Sequence, residues 1–242
     1  MSPIKKKFLG IITARGGSKG IPRKNIKLLA GKPLIEYTFN AVKKSKLINR
    51  VILSSDDDEI IEFSKNRGIE APFKRPAELA TDDAKSIDVL THAVVFLKKI
   101  EEYTPDYIIT LQPTSPFRIA KDIDNAIELV IKNNEADSLV SVIKVPHNFN
   151  PYSIMMYDGK FLKHYIKKVR IMRRQAKPVF YARNGAAIYI TSYDLLMKKK
   201  KIIGEKCLPY FMPKERSLDI DDDYDWQIAE FLIRNKLLVE NN

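Results

Sequence analysis

Residues 8–25, FLGIITARGGSKGIPRKN, decide the fold, because a continuous apolar run passes directly into a glycine-rich basic loop. The run at residues 8–13 is typical of a buried strand. The loop at residues 14–25 carries three glycines and four cations, namely Gly16, Gly17, Gly20, Arg15, Lys19, Arg23 and Lys24. Glycine lets backbone amides approach an anion and the cations supply the opposite charge, so this loop predicts a polyphosphate site. Neither the Walker spacing nor the dinucleotide fingerprint occurs in it.

Further apolar runs alternate with segments of helical spacing. The predicted strands are residues 51–53, 107–111, 138–145 and 186–191. The predicted helices begin after Pro33, at Asp56, at Ser86, at Ile119, at Ser192 and near Asp222. Asp56 and Ser86 are expected to cap their helices. The alternation indicates an α/β protein with a doubly wound, mostly parallel sheet, and the length suits a single domain over residues 1–242.

The alternation breaks at residues 146–178, which predict a small insertion lobe. Its sequence favours a loop followed by a hairpin that turns at Asp158 and Gly159. Residues 160–174, KFLKHYIKKVRIMRR, carry seven cations and no acid, interleaved with Phe161 and Tyr165. A surface of this composition suits RNA or an anionic substrate.

Composition excludes several classes of protein. With 45% hydrophobic and 30% charged residues, the chain has no apolar run near the ~18 residues of a membrane span, so no membrane partner is expected. The N-terminal MSPIKKKF lacks the apolar segment of a secretory signal, and the single cysteine, Cys207, fits a reducing, cytoplasmic location. One cysteine and three histidines cannot form a Cys/His metal cluster. The net charge of +12 raises nucleic acid as a rival partner.

Three polar segments are expected beside the first loop, because ligands of open parallel sheets bind at the carboxyl ends of the strands. They are LQPTSPFR at residues 111–118, RPAELATDDAKS at residues 75–86 and YARNGAAIY at residues 181–189. Two prolines stiffen the first of these segments and lower the entropy lost on binding. Their candidate site residues are Arg75, Gln112, Thr114, Ser115, Arg118 and Asn184.

A run of aspartates, SLDIDDDYDW at residues 217–226, predicts a metal site. Asp219 and Asp221 are two residues apart, so in an extended segment both carboxylates project from the same face and can share a cation. Magnesium suits them, since it takes one or two carboxylates and completes its shell with water and substrate phosphates. The acids expected to cap and charge the final helix are Asp222, Asp223 and Asp225.

Five motifs, in this order, resemble those of the cytidylyltransferases that activate sialic acids and related nine-carbon 2-keto acids, including legionaminic and pseudaminic acids. They are ARGGSKGIPRKN, RPAELA, LQPTSPFR, the RRQ before YARNGAAIY, and SLDIDDDYDW. The resemblance runs from residue 8 to residue 226. It implies a Rossmann-like fold, a homodimer whose insertion lobe reaches the neighbouring active site, and Mg2+-dependent transfer of CMP from CTP to the sugar with release of pyrophosphate.

The resemblance also implies roles for individual residues. The residues implied to bind the triphosphate are Arg15, Lys19 and Lys24. They belong to a nucleotide-binding loop that also includes Ala14 and Gly16. Those implied for the ribose and cytosine are Asn25, Arg75 and Ser86. Those implied for the sugar are Gln112, Asn184, Tyr189 and, from the partner subunit, Arg174. Asp219 and Asp221 would bind magnesium and complete the catalytic set with the triphosphate cations.

The chain departs from the family pattern beside the sugar, and alternatives stay open. An additional Ala187 follows Asn-Gly-Ala, and Arg183 directly precedes Asn184. A cytidylyltransferase for the eight-carbon acid of lipopolysaccharide would carry nearly the same CTP motifs. A basic RNA-binding protein would use the insertion lobe, but no recognised nucleic-acid motif is present and the aspartates would repel phosphate unless metal is bound. We therefore expect CTP and a nonulosonic acid sugar, rather than nucleic acid, as partners.

Overall fold

A computed structural model describes residues 6–166 and 173–237. In chain order its strands are β1 Phe8–Thr13, β2 Leu28–Leu29, β3 Lys32–Pro33, β4 Arg50–Ser54, β5 Tyr107–Leu111, β6 Ser138–Lys144, β7 Met155–Tyr157, β8 Leu162–His164, β9 Tyr181–Arg183, β10 Tyr189–Ser192 and β11 Cys207–Phe211. Its α-helices are α1 Leu34–Lys44, α2 Asp58–Asn66, α3 Ser86–Glu101, α4 Ala120–Lys132, α5 Tyr193–Met197 and α6 Asp223–Arg234. Residues 1–5, and residues 167–172 of the basic segment predicted in the lobe, lie outside the described residues.

The central sheet has the order β11-β6-β10-β5-β1-β4, with β9 paired to the last residues of β6. β1 runs parallel to β4 and β5, and β6 runs parallel to β11. β10 runs antiparallel to both β5 and β6, so β6 shares the direction of β5. The predicted α/β fold with a mostly parallel sheet is confirmed, and the antiparallel β10 makes the sheet mixed.

Helices cover both faces of this sheet. Phe8 and Ile12 of β1 face a core cluster that contains side chains of α1, α2 and α4. Leu9 and Ile11 face a second cluster with α3 and α5. Alternate residues of a strand point to opposite faces, so a strand buried on both sides must be apolar throughout. Among the helices of residues 6–166 and 173–237, none combines the length and the apolarity needed to cross a membrane.

The structure corrects the predicted strands at the C-terminal side of the sheet. β10 begins at Tyr189, and the buried residues 186–188 form a turn before it. The apolar run there marks burial rather than extended backbone. Two further strands were not predicted from the sequence: β9, which is short and exposed, and β11, which contains Pro209. Proline is tolerated in β11 because that strand lies at the edge of the sheet.

Two helix starts also differ from expectation. Asp57 rather than Asp56 caps α2, and its Oδ1 accepts a hydrogen bond from the Ile60 amide at 3.0 Å. Lys85 occupies the N-cap position of α3, so Ser86 is the first helical residue and not the cap. The serine side chain is thereby left on the site side of the helix start, where it is exposed.

β7 and β8 form the predicted hairpin of the insertion lobe. Gly159 has a φ of +98° at the turn, and Asp158 Oδ1 accepts hydrogen bonds from the amides of Lys160 and Phe161 at 3.1 and 2.7 Å. The base of the lobe is closed by Asn150, whose Nδ2 donates to the Pro178 carbonyl at 2.9 Å. All residues of both hairpin strands are exposed in the single chain.

Candidate active site

A cavity of about 440 Å³, called here the first cavity, lies at the carboxyl ends of β1 and β5. The residues predicted for the nucleotide that line it are Arg15, Lys19, Lys24, Asn25, Arg75 and Ser86. Gln112 and Asp221 line it as well, so the loops after β1 and β5 converge with the aspartate segment. Ala14 and Gly16 stand outside its wall: the Ala14 side chain is fully buried, and Thr13 lines the cavity instead.

The glycines of the first loop allow close packing rather than unusual backbone angles, since none of the three has a positive φ. An ideal Cβ at Gly16 would lie 2.6 Å from Asp57 Oδ2. A Cβ at Gly20 would overlap the carbonyl oxygen of Asp221, whereas Gly17 has open space around it. Gly20 is therefore the point at which the first loop packs against the aspartate segment.

Gly20→Ala should accordingly displace Asp221. In the CTP reaction that the sequence resemblance implies, this should lower kcat/KM by about 100-fold, the scale expected for misplacing a reacting group by about 1 Å. Gly17→Ala is the matched control, because its added methyl group meets nothing within 4 Å. CTP titration and initial rates of the two folded variants measure the difference. Equal rates for both variants would mean that this packing does not position the site.

Two members of the first loop face away from the first cavity, contrary to the sequence-based expectation. The Gly16 amide donates to Asp56 Oδ1 at 3.0 Å, so it serves a protein carboxylate rather than a phosphate. Arg23 lies 2.9 Å from Asp57 Oδ2 and 2.6 Å from Glu59 Oε2. These contacts hold the loop against the start of α2.

Asp82 pairs with two of the cations predicted for the triphosphate. Its Oδ1 lies 2.6 Å from Arg15 Nη2, and its Oδ2 lies 2.8 Å from Lys19 Nζ. Lys19 and Arg15 together hold the pKa of Asp82 below its usual range. Because the Lys19 side chain is 80% exposed, water screens the pair and a phosphate can compete for both cations.

Arg75 is a buried cation in the wall of the first cavity. Its Nε donates to Ser54 Oγ at 3.0 Å, and its Nη2 donates to the Ser54 carbonyl. Burial lowers the pKa of the guanidinium to about 10, an effect that the Asp56 carboxylate opposes. The side chain is therefore fixed by β4 and remains positively charged at neutral pH.

The aspartate segment is held between two site loops. The Ile220 amide donates to the Thr114 carbonyl at 2.8 Å, and Lys24 Nζ donates to the Ile220 carbonyl at 2.6 Å. Burial lowers the pKa of Lys24, while the carboxylates of Asp221 and Asp219 act in the opposite direction. The lysine thus places a positive charge beside both acids.

Asp219 and Asp221 fit a divalent cation. Asp219 Oδ1 is buried and has no hydrogen-bond partner within residues 6–166 and 173–237. Burial raises the pKa of Asp219 and the nearby Asp221 adds to the effect, so a bound cation would relieve both costs. The described residues contain no group of three or more His, Cys, Asp or Glu side chains arranged for a metal. A cation here would need water and substrate phosphates as further ligands, as magnesium prefers.

A second cavity of about 570 Å³ adjoins the first. The residues common to both walls are Ser86, Thr110 and Gln112. Gln112 and Tyr189, both predicted for the sugar, line the second cavity. Gly185 lines it with a φ of +66°, and a Cβ there would overlap the Asp219 carboxylate. The second cavity therefore shares wall residues with the first, and its Gly185 packs against Asp219, which itself lies outside both cavity walls.

Two other residues predicted for the sugar lie outside both cavity walls. Asn184 is buried, and its Nδ2 donates to Ser217 Oγ at 3.0 Å and contacts the Met212 sulfur at 3.3 Å. This places Asn184 as a link between β9 and the aspartate segment. Arg174 is exposed in the short 3-10 helix Arg174–Ala176 of the lobe.

Arg118, expected at the mouth of the site, is buried instead and connects three segments by hydrogen bonds. Its Nη1 donates to the carbonyls of Ala187 at 2.6 Å and Gln112 at 3.3 Å, and its Nη2 donates to Thr38 Oγ1 at 2.7 Å. Burial lowers its pKa to about 10. Ser115 is buried as well. Arg118 fixes residues 111–118 against the turn before β10, and neither Arg118 nor Ser115 lines a cavity.

Sequence reasoning missed several wall residues. Those of the first cavity include Thr13, Ser18, Thr81 and Asp82, and those of the second include Thr110, Arg183, Ile202 and Ile203. The two adjacent aspartates in RPAELATDDAKS could have indicated that Asp82 belongs to the site. Arg183, at which the chain departs from the family pattern, could have indicated a residue of the second cavity. The two isoleucines follow α5 and carried no signal, because only the fold brings them there.

Known proteins are similar in sequence to this chain over most of its length. The sequence is 35% identical over 233 residues to post-translational flagellin modification protein B of Campylobacter coli, covering 96% of this chain and 97% of that protein. It is 32% identical to the N-acylneuraminate cytidylyltransferase of Escherichia coli, over 93% of this chain and 52% of that protein. It is 31% identical to the CMP-N,N'-diacetyllegionaminic acid synthase of Legionella pneumophila, over 94% of this chain and 96% of that protein.

The fold has solved counterparts. The structure titled CMP:2-keto-3-deoxy-manno-octonic acid synthetase complexed with CTP superposes with a TM-score of 0.69 at 16% identity, over 96% of this chain and 100% of that one. At this identity the likeness establishes the fold alone. The sequence itself matches the cytidylyltransferase family over residues 9–228. The chain therefore belongs to the cytidylyltransferase family.

Proposed function

We propose that this enzyme transfers CMP from CTP to the anomeric hydroxyl of a sialic-acid-like nine-carbon 2-keto acid sugar and releases pyrophosphate. The observation that carries the proposal is the pair of adjoining cavities, one whose wall includes four cations and Asp221, and one lined largely by neutral polar and apolar residues, including Gly185, which packs against Asp219. The relatives named for N-acylneuraminate and for diacetyllegionaminic acid support a sugar of this class.

The first cavity is proposed to hold CTP. Arg15, Lys19 and Lys24 all line its wall and would supply the charge that a triphosphate requires. Arg75 and Ser86 line the same wall and are proposed to contact the ribose and cytosine. The lowered dielectric around a buried guanidinium strengthens its hydrogen bonds to a bound ligand.

In the proposed reaction, the sugar hydroxyl oxygen forms a bond to the α-phosphorus of CTP while the bond from that phosphorus to the pyrophosphate oxygen breaks. The hydroxyl proton leaves to solvent. Asp219 and Asp221 would hold Mg2+, which supplies positive charge to the phosphates when bound. Lys24 and Arg15 hold the leaving pyrophosphate, and the wall shared by the two cavities keeps the two substrates in contact.

The proposed assembly is a homodimer. The lobe hairpin exposes Met156, Tyr157, Phe161 and Leu162, each by at least 57% of its surface, in the single chain. Apolar side chains grouped in this way are typical of an interface. Arg174 of the same lobe would then approach the sugar of the partner subunit. Light scattering at micromolar concentration should give twice the chain mass of 27.8 kDa, and a monomer would contradict this arrangement.

Release of pyrophosphate from CTP and Mg2+ in the presence of candidate sugars tests the proposed function. The panel contains N-acetylneuraminic acid, N,N'-diacetyllegionaminic acid, a pseudaminic acid and the eight-carbon acid of lipopolysaccharide. We expect release with at least one nine-carbon acid and little with the eight-carbon acid. Preference for the eight-carbon acid would favour the alternative substrate, and release with none of the four would contradict the proposal.

Asp82→Asn should tighten CTP binding by about two- to fivefold, because it removes a carboxylate that competes with the triphosphate for the partly exposed Arg15 and the exposed Lys19. Asp83→Asn is the matched control, since this neighbour lies outside the wall of the first cavity and is exposed. Calorimetric titration with CTP compares the two variants with the unaltered enzyme. Weaker binding by the Asp82 variant would mean that the acid orients the cations instead of competing for them.

A further inference from the structure

Arg183 is the one charged side chain in the part of the second cavity wall that the structure describes. The other wall residues are neutral: Ser86, Thr110, Gln112, Gly185, Ala186, Tyr189, Ile202 and Ile203. A single cation in an otherwise uncharged pocket is suited to one anionic group of a ligand. Arginine suits a carboxylate in particular, because its planar guanidinium can donate two parallel hydrogen bonds.

The backbone of Arg183 is fixed by the sheet, and its guanidinium, which interacts with Tyr189, has no carboxylate partner among the described residues. The residue ends β9 and pairs with Val142 of β6, so its position is set by the sheet. Within residues 6–166 and 173–237, no carboxylate lies within 4.0 Å of its guanidinium. Its near neighbour is Tyr189, whose pKa is raised by burial and lowered in part by the Arg183 charge.

Arg183 also lies close to the candidate reaction centre. It precedes by two residues Gly185, where an added Cβ would overlap the Asp219 carboxylate. Two residues of chain span at most roughly 7 Å. In the closed form of a 2-keto acid sugar, the carboxylate and the attacking hydroxyl are attached to the same carbon. A cation that binds this carboxylate therefore also orients the hydroxyl toward the first cavity.

We propose that Arg183 binds the carboxylate of the sugar and thereby makes the second cavity selective for acidic sugars. The proposal rests on the proposed function, and it assigns to this chain's own strand β9 a contact that the resemblance implies for Arg174 of the partner subunit. Arg183→Gln removes the charge and keeps a shorter polar side chain. Arg183→Lys keeps the charge and removes the paired donors. Lys144→Gln is the control, since Lys144 ends the neighbouring strand and lies outside the cavity wall.

The probes are N-acetylneuraminic acid and N,N'-diacetyllegionaminic acid, each as the free acid and as its C1 methyl ester. Binding of each probe in the presence of CTP is measured by calorimetry, and kcat and KM are measured by pyrophosphate release. For the better acid, Arg183→Gln should weaken binding and raise KM by about 10- to 100-fold, the range for losing a hydrogen bond to a charged group. The ester should be affected by less than about threefold, so the preference for the acid largely disappears.

Further results separate the role of Arg183 from a general structural effect. Arg183→Lys should recover part of the lost affinity for the acid, and Lys144→Gln should match the unaltered enzyme. Affinity for CTP should stay within about twofold in all variants. Equal losses for acid and ester, unchanged binding in Arg183→Gln, or binding of neither acid to the unaltered enzyme would overturn the assignment. Acid binding that depends on Arg183 without pyrophosphate release would contradict the proposed function and leave this assignment supported.

Discussion

Asp221→Asn and Asp219→Asn should each lower kcat by at least about 100-fold, because each removes one preorganised charge from the position where the phosphates react. In the same variants kcat should also depend less on the Mg2+ concentration, because these two carboxylates are the ligands that the protein is proposed to supply to magnesium. Asp221 lines the first cavity, and Asp219 Oδ1 is buried without a hydrogen-bond partner in the described part of the chain. Initial rates across a magnesium titration measure both effects.

The control for these variants is Asp223→Asn. Asp223 is exposed at the start of α6, 3.7 Å from Lys27, and is outside both cavity walls. It should change kcat by less than about twofold, as expected for an exposed ion pair. Thermal melting of all three variants reports whether the fold is kept. An Asp221→Asn enzyme that folds and keeps normal rates across the magnesium titration would refute the metal assignment.

Lys24→Met should lower kcat/KM for CTP by about 100- to 1000-fold, the scale for losing one preorganised electrostatic contact. Lys24 is half-buried, and its Nζ donates to the Ile220 carbonyl at 2.6 Å. Without this charge, Asp219 and Asp221 repel each other and the triphosphate more strongly. Methionine keeps the length and the apolar stem, so the loss reports on charge rather than on packing.

Lys27→Met provides the comparison for Lys24→Met. Lys27 belongs to the turn that follows the first loop, but its Nζ lies 4.6 Å from the centre of the Trp226 ring and 3.7 Å from Asp223. It does not line the first cavity. Its variant should retain at least about half of the normal kcat/KM, since exposed pairs contribute little. Losses of equal size in the two variants would point to net charge as the cause and would contradict a specific role for Lys24.

The layers of the fold were predictable because a strand that is buried on both faces of a sheet is apolar at successive positions of the sequence. β1, β5 and β6 are largely apolar runs, and residues between them repeat with helical spacing. β11 was not predicted because it contains Pro209. A proline argues against a strand unless the strand is known to lie at the edge of a sheet, and that position is not visible in the sequence. Residues 186–188 were assigned to a strand because a buried turn and a buried strand share the same composition.

The site was predictable only where one loop holds several of its residues. The glycines and cations of the first loop and the spacing of Asp219 and Asp221 are local patterns, and both segments reach the first cavity. The direction in which a side chain points depends on distant partners. Arg118 turns inward because the carbonyls of Ala187 and Gln112 are within its reach, and Gly16 turns its amide to an acid on the neighbouring loop. Neither contact can be read from nearby sequence.

The most direct test of the central claim is 31P NMR of a complete reaction with CTP, Mg2+ and the sugar acid that releases pyrophosphate fastest. The account predicts that the three CTP signals give way to one phosphodiester signal and one pyrophosphate signal in equal molar amounts, with formation of both dependent on the sugar. CDP with inorganic phosphate, or CMP with pyrophosphate at the same rate when the sugar is left out, would contradict transfer of CMP to the sugar hydroxyl.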